Sequence, residues 1–133
     1  MINVSGHRLS TGEMEDLVAR HPAVAECAVI GVHDEIKGQV PLALVVLKDG
    51  EGIAEAQLLV ELVGSVREEI GPLACFNRVR LGKRLPKTRS GKILRAVLRK
   101  IADGQDYVPP STLDDPAVLG EIEAVLADLP RAG

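Results

Sequence analysis

Two apolar runs rich in β-branched residues constrain the fold of this chain more than any other feature. They span residues 24–32 and 40–47, and the polar connection between them carries Gly38. Runs of this length and composition, bounded by turn and charged residues, are typical of β-strands. A third, shorter strand is predicted at residues 77–81. These segments predict a core sheet of three strands.

The N-terminal region predicts a small ribbon followed by a helix. Residues 2–4 and 7–9 are interpreted as two short strands, and the Ser5-Gly6 turn separates them. Ser10 is a favourable N-cap, and Glu13 follows three residues later, so the two residues form a capping box. Apolar residues recur at helical spacing beyond this cap until Pro22 ends the pattern.

Helical periodicity also accounts for most of the second half of the chain. It predicts a long helix at residues 54–70, another at 91–102 with Ser90 as its N-cap, and a last one at 117–126. Residues 103–116 contain three prolines and are predicted to be a linker to the last helix. We therefore expect an α+β domain, in which helices flank a three-stranded core sheet with a two-stranded N-terminal ribbon.

The composition indicates one folded domain with an aliphatic core. The chain has 133 residues, of which 46% are hydrophobic and 26% charged, and Phe76 and Tyr107 are its only aromatic residues. Cys27 and Cys75 lack the spacing of a metal or redox pair. Apolar runs are too short to span a bilayer, so no membrane partner is expected. We expect a monomeric domain in the cytoplasm or in an organelle matrix.

A basic stretch suggests where the chain binds ligands. Ten of the sixteen lysines and arginines lie between Arg78 and Lys100, and no acidic residue interrupts them. Within it, residues 85–92 read Leu-Pro-Lys-Thr-Arg-Ser-Gly-Lys, which would place Lys92 at a helix start, where an anion is favoured. The alternative is a solvated basic face. The net charge of −3 and the scarce aromatics argue against nucleic-acid binding.

Two motifs resemble signatures of one protein family. Residues 85–92 are similar to a signature of the small C-terminal domain of adenylate-forming acyl-CoA synthetases, and residues 3–9 with the following Glu13 and Glu15 resemble a second. Residues 70–74 and 111–116 resemble the acetyl- and propionyl-CoA synthetase branch. The resemblance covers essentially the whole chain, and it implies ATP, CoA and Mg²⁺ as cofactors, used mainly by a large N-terminal domain.

The resemblance also implies roles for particular residues. Lys92 matches the lysine that contacts the carboxylate and phosphate during adenylation. The turn at Ser5 and Gly6 would lie along the CoA pantetheine arm, Arg8 would approach the nucleotide, and Arg67 would contact a phosphate of CoA. From the residues alone, the turn is equally compatible with an ordinary turn, Arg8 could pair with Glu13 or Glu15 on the surface, and Arg67 is better explained as an exposed cation near a helix C-terminus.

A hard-cation site is implied at the end of the first helix. In close relatives, carbonyl oxygens around the matching histidine form this site, which here would involve Ala19, His21 and Val24. The residues alone favour a simple helix-terminal histidine, because His21 lacks the spacing of a zinc ligand.

Together these features predict the mobile C-terminal domain of a short-chain acyl-CoA synthetase. Such an enzyme converts acetate or propionate, ATP and CoA into acyl-CoA, AMP and pyrophosphate through an acyl-adenylate. We expect the large N-terminal adenylation domain to be missing from residues 1–133, so that this chain is inactive alone. A lysine acetyltransferase and deacetylase are possible regulatory partners acting on Lys92. The alternative is a free-standing binding module for CoA or another phosphorylated ligand.

Overall fold

The fold follows the predicted order of strands and helices. The computed structural model describes residues 2–4, 7–71, 76 and 78–127. Its elements are β1 (Ile2–Val4), β2 (His7–Leu9), α1 (Thr11–Ala19), β3 (Val24–Asp34), β4 (Gly38–Leu47), α2 (Glu55–Glu69), β5 (Val79–Leu81), α3 (Arg95–Ala102) and α4 (Ala117–Val125). Ser10 caps α1 as predicted, since the Glu13 amide donates to its hydroxyl at 3.2 Å.

The sheet is built around β4. Strand β3 pairs with β4 in antiparallel register from Val24–Leu47 to Asp34–Gly38, and β5 pairs with β4 in parallel. The predicted α+β class and three-stranded core sheet are therefore confirmed. The two-stranded ribbon is also present, and it joins the sheet where Val4 of β1 pairs with Gly38.

A proline lies inside this central strand. Pro41 pairs across β3 with Gly31, and it follows the Gly38 contact with β1 and precedes the contacts of β4 with β5. The Ala43 amide, on the same edge two residues later, donates to the Arg78 carbonyl at 3.0 Å. The nitrogen of Pro41 therefore lies at the gap between β1 and β5. Because none of the described strands pairs with β4 there, the lack of an N–H group at Pro41 costs the sheet no hydrogen bond.

Helices cover both faces of the sheet. The α1 and α2 side contains a core cluster that includes Leu17, Leu58, Leu62, Val29, Ala43 and Val45. The α3 and α4 side contains another that includes Leu98, Ile122, Ala28, Ile30, Leu42 and Leu44. Successive strand residues are therefore buried on alternate faces. This explains why β3 and β4 read as continuous apolar runs instead of alternating with polar residues.

The predicted start of the third helix is wrong. Helix α3 begins at Arg95, with Leu94 at its N-cap, and not at residue 91 with Ser90 as the cap. Gly91 has a φ of 91°, a left-handed conformation that does not belong to a right-handed helix. The segment before α3 is a turn closed by the bond from the Gly91 amide to the Thr88 carbonyl. Consequently Lys92 does not lie at a helix N-terminus, and the helix-dipole argument for an anion site there is also wrong.

Side chains protect the exposed edge of β3. The Glu15 carboxylate accepts from the Val29 amide at 3.2 Å, and the Asp103 carboxylate accepts from the His33 amide at 2.8 Å. These acids come from α1 and from the end of α3, so both helix layers cover the same edge. Unpaired edge amides would otherwise invite pairing with another chain. No helix in the described part of the chain is long and apolar enough to cross a membrane.

Candidate functional site

The lysine motif forms a tight hairpin, which we call the Lys92 hairpin (residues 87–93). Lys87 and Ile93 form a β-bridge at its base. The Thr88 amide donates to the Lys92 carbonyl at 2.9 Å, and the Gly91 amide donates to the Thr88 carbonyl at 2.9 Å. Glycine suits the tip because the positive φ of Gly91 would strain a residue with a side chain. The motif thus specifies a turn with its own hydrogen bonds.

The backbone of Lys92 is held while its side chain is free. The Lys92 amide donates to the Thr88 hydroxyl at 3.1 Å, and the Lys92 carbonyl accepts from the Thr88 amide. Lys92 is exposed, and its ammonium makes no hydrogen bond or ion pair within the described residues. An ammonium with no competing partner on a fixed backbone can reach an anion as a point charge.

Acidic residues from elsewhere in the fold neutralise much of the basic stretch. Arg84 donates to Asp115 at 2.6 Å and to Glu121 at 2.5 Å. Both bonds raise the pKa of Arg84, and the bond to Glu121 has the larger effect. Lys87 donates to Glu26 at 2.5 Å, and Arg95 pairs with Glu15. The fold therefore neutralises part of the stretch, while other exposed cations, Arg89 and Lys92 among them, make no ion pair within the described residues.

The segment predicted as a linker packs against the Lys92 hairpin. The Arg89 amide donates to the Thr112 carbonyl at 3.2 Å, and the Asp114 amide donates to the Lys87 carbonyl at 2.9 Å. Leu113, between these contacts, forms a bridge with Thr88 and is 4% exposed. Residues 103–116 thus connect α3 to α4 and also hold the first half of the hairpin, residues 87–89, in place.

The other predicted ligand-binding residues lie on different elements. Arg8 is exposed on β2, opposite Asn3 in the ribbon, and Arg67 is exposed in the last turn of α2. Ser5 and Gly6 lie outside the described residues. Within the described part of the chain, no hydrogen bond or ion pair joins Arg8, Arg67 and Lys92. Their roles in binding CoA and the nucleotide stay predictions.

His21 has a structural role at the junction of α1 and α2. Its Nδ1 accepts from the Ala23 amide at 3.1 Å, so Nε2 carries the proton and donates to Glu61 at 2.8 Å. The pKa of Glu61 is lowered first by the Gln57 side chain and then by His21. The implied cation site at Ala19, His21 and Val24 stays a prediction.

A cation at this helix end would need main-chain ligands. Both ring nitrogens of His21 are engaged, and the His21 carbonyl already accepts from the Val24 amide at 3.0 Å. Mg²⁺ and similar cations prefer oxygen ligands, so carbonyl groups fit the chemistry of the prediction better than the imidazole does. The described residues contain no cluster of three or more histidine, cysteine or acidic side chains that could hold a metal.

Cys27 is a buried core residue, not a reactive one. The residue is 5% exposed. Burial, and to a smaller extent the negative charge of nearby Glu15, raises the pKa of its thiol to about 12. A thiol with this pKa is almost entirely protonated at neutral pH and is a poor nucleophile. Cys75 lies outside the described residues.

The acidic partners of the basic stretch were not found from the sequence. Glu26 lies 61 residues before Lys87, and Glu15 lies 80 residues before Arg95. A single sequence carries no local signal for such pairings, because the tertiary fold alone brings these residues together.

The class of protein follows from the fold, the hairpin and the family comparison. Residues 13–92 match the sequence model of the family described as AMP-binding enzyme C-terminal domain. The chain belongs to this family.

Particular relatives narrow the comparison. The chain is 54% identical over 123 residues to acyl-CoA synthetase short-chain family member B, mitochondrial, of Dictyostelium discoideum, covering 92% of this chain and 18% of that protein. It is 50% identical to acetyl-coenzyme A synthetase of Wolinella succinogenes, covering 92% and 19% respectively.

A solved structure supports the same assignment. The fold matches the crystal structure of a Brucella canis acyl-CoA synthetase with a TM-score of 0.68 and 36% identity, over 74% of this chain and 18% of that one. The chain therefore spans about a fifth of the length of these relatives.

Proposed function

We propose that this chain is the mobile C-terminal domain of a short-chain acyl-CoA synthetase that acts on acetate or propionate. The observation that carries the proposal is that, in a chain of this family, the Lys92 ammonium is exposed and has no partner among the described residues, while the hairpin backbone that carries it is fixed. The partner is the enzyme's own N-terminal adenylation domain. The small share of the relatives' length that this chain covers supports that partnership.

The proposed reaction has two steps. The carboxylate first attacks the α-phosphate of ATP, giving an acyl-adenylate and pyrophosphate. The thiol of CoA then attacks the acyl carbon, giving the thioester and releasing AMP. In the first step the carboxylate enters with a negative charge and further negative charge builds up on the oxygens around the α-phosphorus, and Lys92 supplies a positive charge there. Mg²⁺ would neutralise charge on the phosphates of ATP, mainly within the large domain.

We propose that the domain rotates between the two steps, so that Lys92 is withdrawn and the second step uses other parts of this domain. The turn at Ser5 and Gly6 would lie along the CoA pantetheine arm, since glycine permits a close approach of the backbone. Arg67 would contact a phosphate of CoA, and Arg8 would contact the nucleotide. The exposure of Arg8 and Arg67 supports these roles. Lys92 is equally accessible to a lysine acetyltransferase, which would remove its charge and could be reversed by a deacetylase.

The 133-residue chain alone is expected to show no carboxylate-dependent exchange of pyrophosphate into ATP. A charged side chain cannot catalyse this exchange without a pocket that holds both substrates in a reactive geometry. The measurement is incorporation of labelled pyrophosphate into ATP with acetate or propionate, and the full-length synthetase is the positive control. Robust exchange by the purified chain would contradict the proposed function.

The alternative function is a free-standing module that binds CoA or another phosphorylated ligand. It predicts that the isolated chain binds CoA in a calorimetric titration, whereas a synthetase domain is expected to need the large domain for measurable affinity. The observation that supports this alternative is that exposed arginines such as Arg67 have no acidic partner among the described residues.

Arg67→Ala is expected to raise the KM for CoA by roughly 10- to 150-fold in the full-length enzyme. Loss of one hydrogen bond to a charged group costs about 1.5–3 kcal/mol, which corresponds to this range. The rate of pyrophosphate exchange should not change. The matched control is Arg20→Ala, which removes another exposed arginine, one that pairs with Glu69. A normal KM for CoA in the Arg67 variant would remove Arg67 from the CoA site.

A further inference from the structure

We infer that Glu26 is a positioning residue for Lys92, and that it acts through Lys87 to hold the Lys92 hairpin for the adenylation step. This inference rests on the proposed function of Lys92. Two acidic residues outside the hairpin are bonded to cations at its ends: Glu26 to Lys87, and Glu15 to Arg95. The side chains that fix the hairpin are therefore remote from it in sequence.

The ion pairs lie where they control the hairpin. Lys87 begins the hairpin and donates to Glu26 on β3, and Arg95 follows its last residue by two positions and donates through Nε to Glu15 at 3.2 Å. Both acids belong to the rigid part of the fold, because β3 is a core strand and α1 packs on the sheet. The hairpin is thus attached to the domain body at both ends.

These pairs are only partly open to solvent. The side chains of Lys87 and Glu26 are 35% and 30% exposed, and those of Arg95 and Glu15 are 39% and 17% exposed. Partial burial reduces screening by water and salt, so such pairs hold geometry better than fully exposed ones. Glu15 is further fixed because it accepts from the Val29 amide.

A continuous set of bonds runs from Glu26 to the backbone of Lys92. Lys87 is bridged to Ile93 across the base of the hairpin, and Thr88, the next residue, holds both the amide and the carbonyl of Lys92. A displacement of about 1 Å in a catalytic group can cost about a hundredfold in rate. The geometry points to a domain that presents Lys92 as a rigid body when it turns, without reordering the hairpin.

Glu26 is a cleaner test of positioning than Glu15. Glu15 also caps the edge of β3, so its replacement would disturb the sheet itself. Within the described residues, the Glu26 carboxylate accepts a hydrogen bond from the Lys87 ammonium. Glu26→Gln keeps the shape of the side chain and removes its charge, and the change can be mirrored from the other side by Lys87→Gln.

The experiment is single-turnover measurement of each half-reaction in the full-length synthetase. For Glu26→Gln and for Lys87→Gln we expect acyl-adenylate formation to slow by about tenfold. The KM for ATP should change by less than about twofold, and thioester formation from pre-made acyl-adenylate should be unchanged. The double variant should be no slower than either single variant, because both changes remove the same contact. Reversing the pair, with Glu26→Lys and Lys87→Glu together, should restore most of the rate.

The matched control is Glu69→Gln, which breaks the Arg20–Glu69 pair between the ends of α1 and α2 and should leave both half-reactions unchanged. Normal adenylation in both single variants would overturn the inference. So would equal loss in both half-reactions with a lowered thermal midpoint, since that result indicates a purely structural pair. The proposed function is tested separately by Lys92→Ala. Normal adenylation in that variant would contradict the proposed role of Lys92 itself.

Discussion

Lys92→Ala is expected to cut acyl-adenylate formation in the full-length synthetase by at least about a hundredfold. This corresponds to roughly 2.7 kcal/mol of lost stabilisation of charge in the transition state. The structure is compatible with so large an effect, because the Lys92 ammonium is exposed and unpaired within the described residues and its backbone is held by Thr88. The reaction of pre-made acyl-adenylate with CoA should proceed at a near-normal rate, because the domain is proposed to turn Lys92 away for that step.

Single-turnover measurement of both half-reactions checks this prediction. Lys87→Ala, on the same hairpin, should have a clearly smaller effect on adenylation, since its ammonium is occupied by Glu26. Equal losses in both halves for the Lys92 variant, or an effect of the Lys87 variant as large, would reduce the hairpin to a general basic patch. The comparison separates a charge that touches the reacting atoms from one that holds the hairpin.

Leu62→Ala is expected to lower the free energy of unfolding of the chain by about 2–5 kcal/mol. Leu62 is 1% exposed in the core between α2 and the sheet, so truncation removes buried contacts and leaves a cavity. A small domain has roughly 5–15 kcal/mol of stability in total, and the variant could lose much of it. Urea unfolding followed by circular dichroism at 222 nm measures the change.

The matched control lies on the same helix. Val60 is 67% exposed, so Val60→Ala should change the free energy of unfolding by no more than about 0.5 kcal/mol. A similar loss in both variants would mean that α2 is not packed as described. A loss below about 1 kcal/mol for Leu62→Ala would mean that this core is loosely formed.

Local patterns were sufficient for most of the secondary structure. The runs at 24–32 and 40–47 became β3 and β4, each slightly longer than predicted, because strands buried on both faces carry an unbroken apolar signal. The cap at Ser10 was also readable, since it depends on residues only three positions apart. The start of α3 was misplaced because the positive φ at Gly91 and the bond between Thr88 and Lys92 are not visible as periodicity.

The sequence by itself determined the class of fold, the family resemblance and Lys92 as the candidate catalytic residue. Each of these depends on residues that are adjacent or regularly spaced along the chain. Only the tertiary structure decided how the basic stretch is used. Glu26 and Glu15 reach Lys87 and Arg95 across long separations, and they leave Lys92 without an acidic partner among the described residues. Charge pairing depends on distance in space, and the order of residues along a single chain does not record that distance.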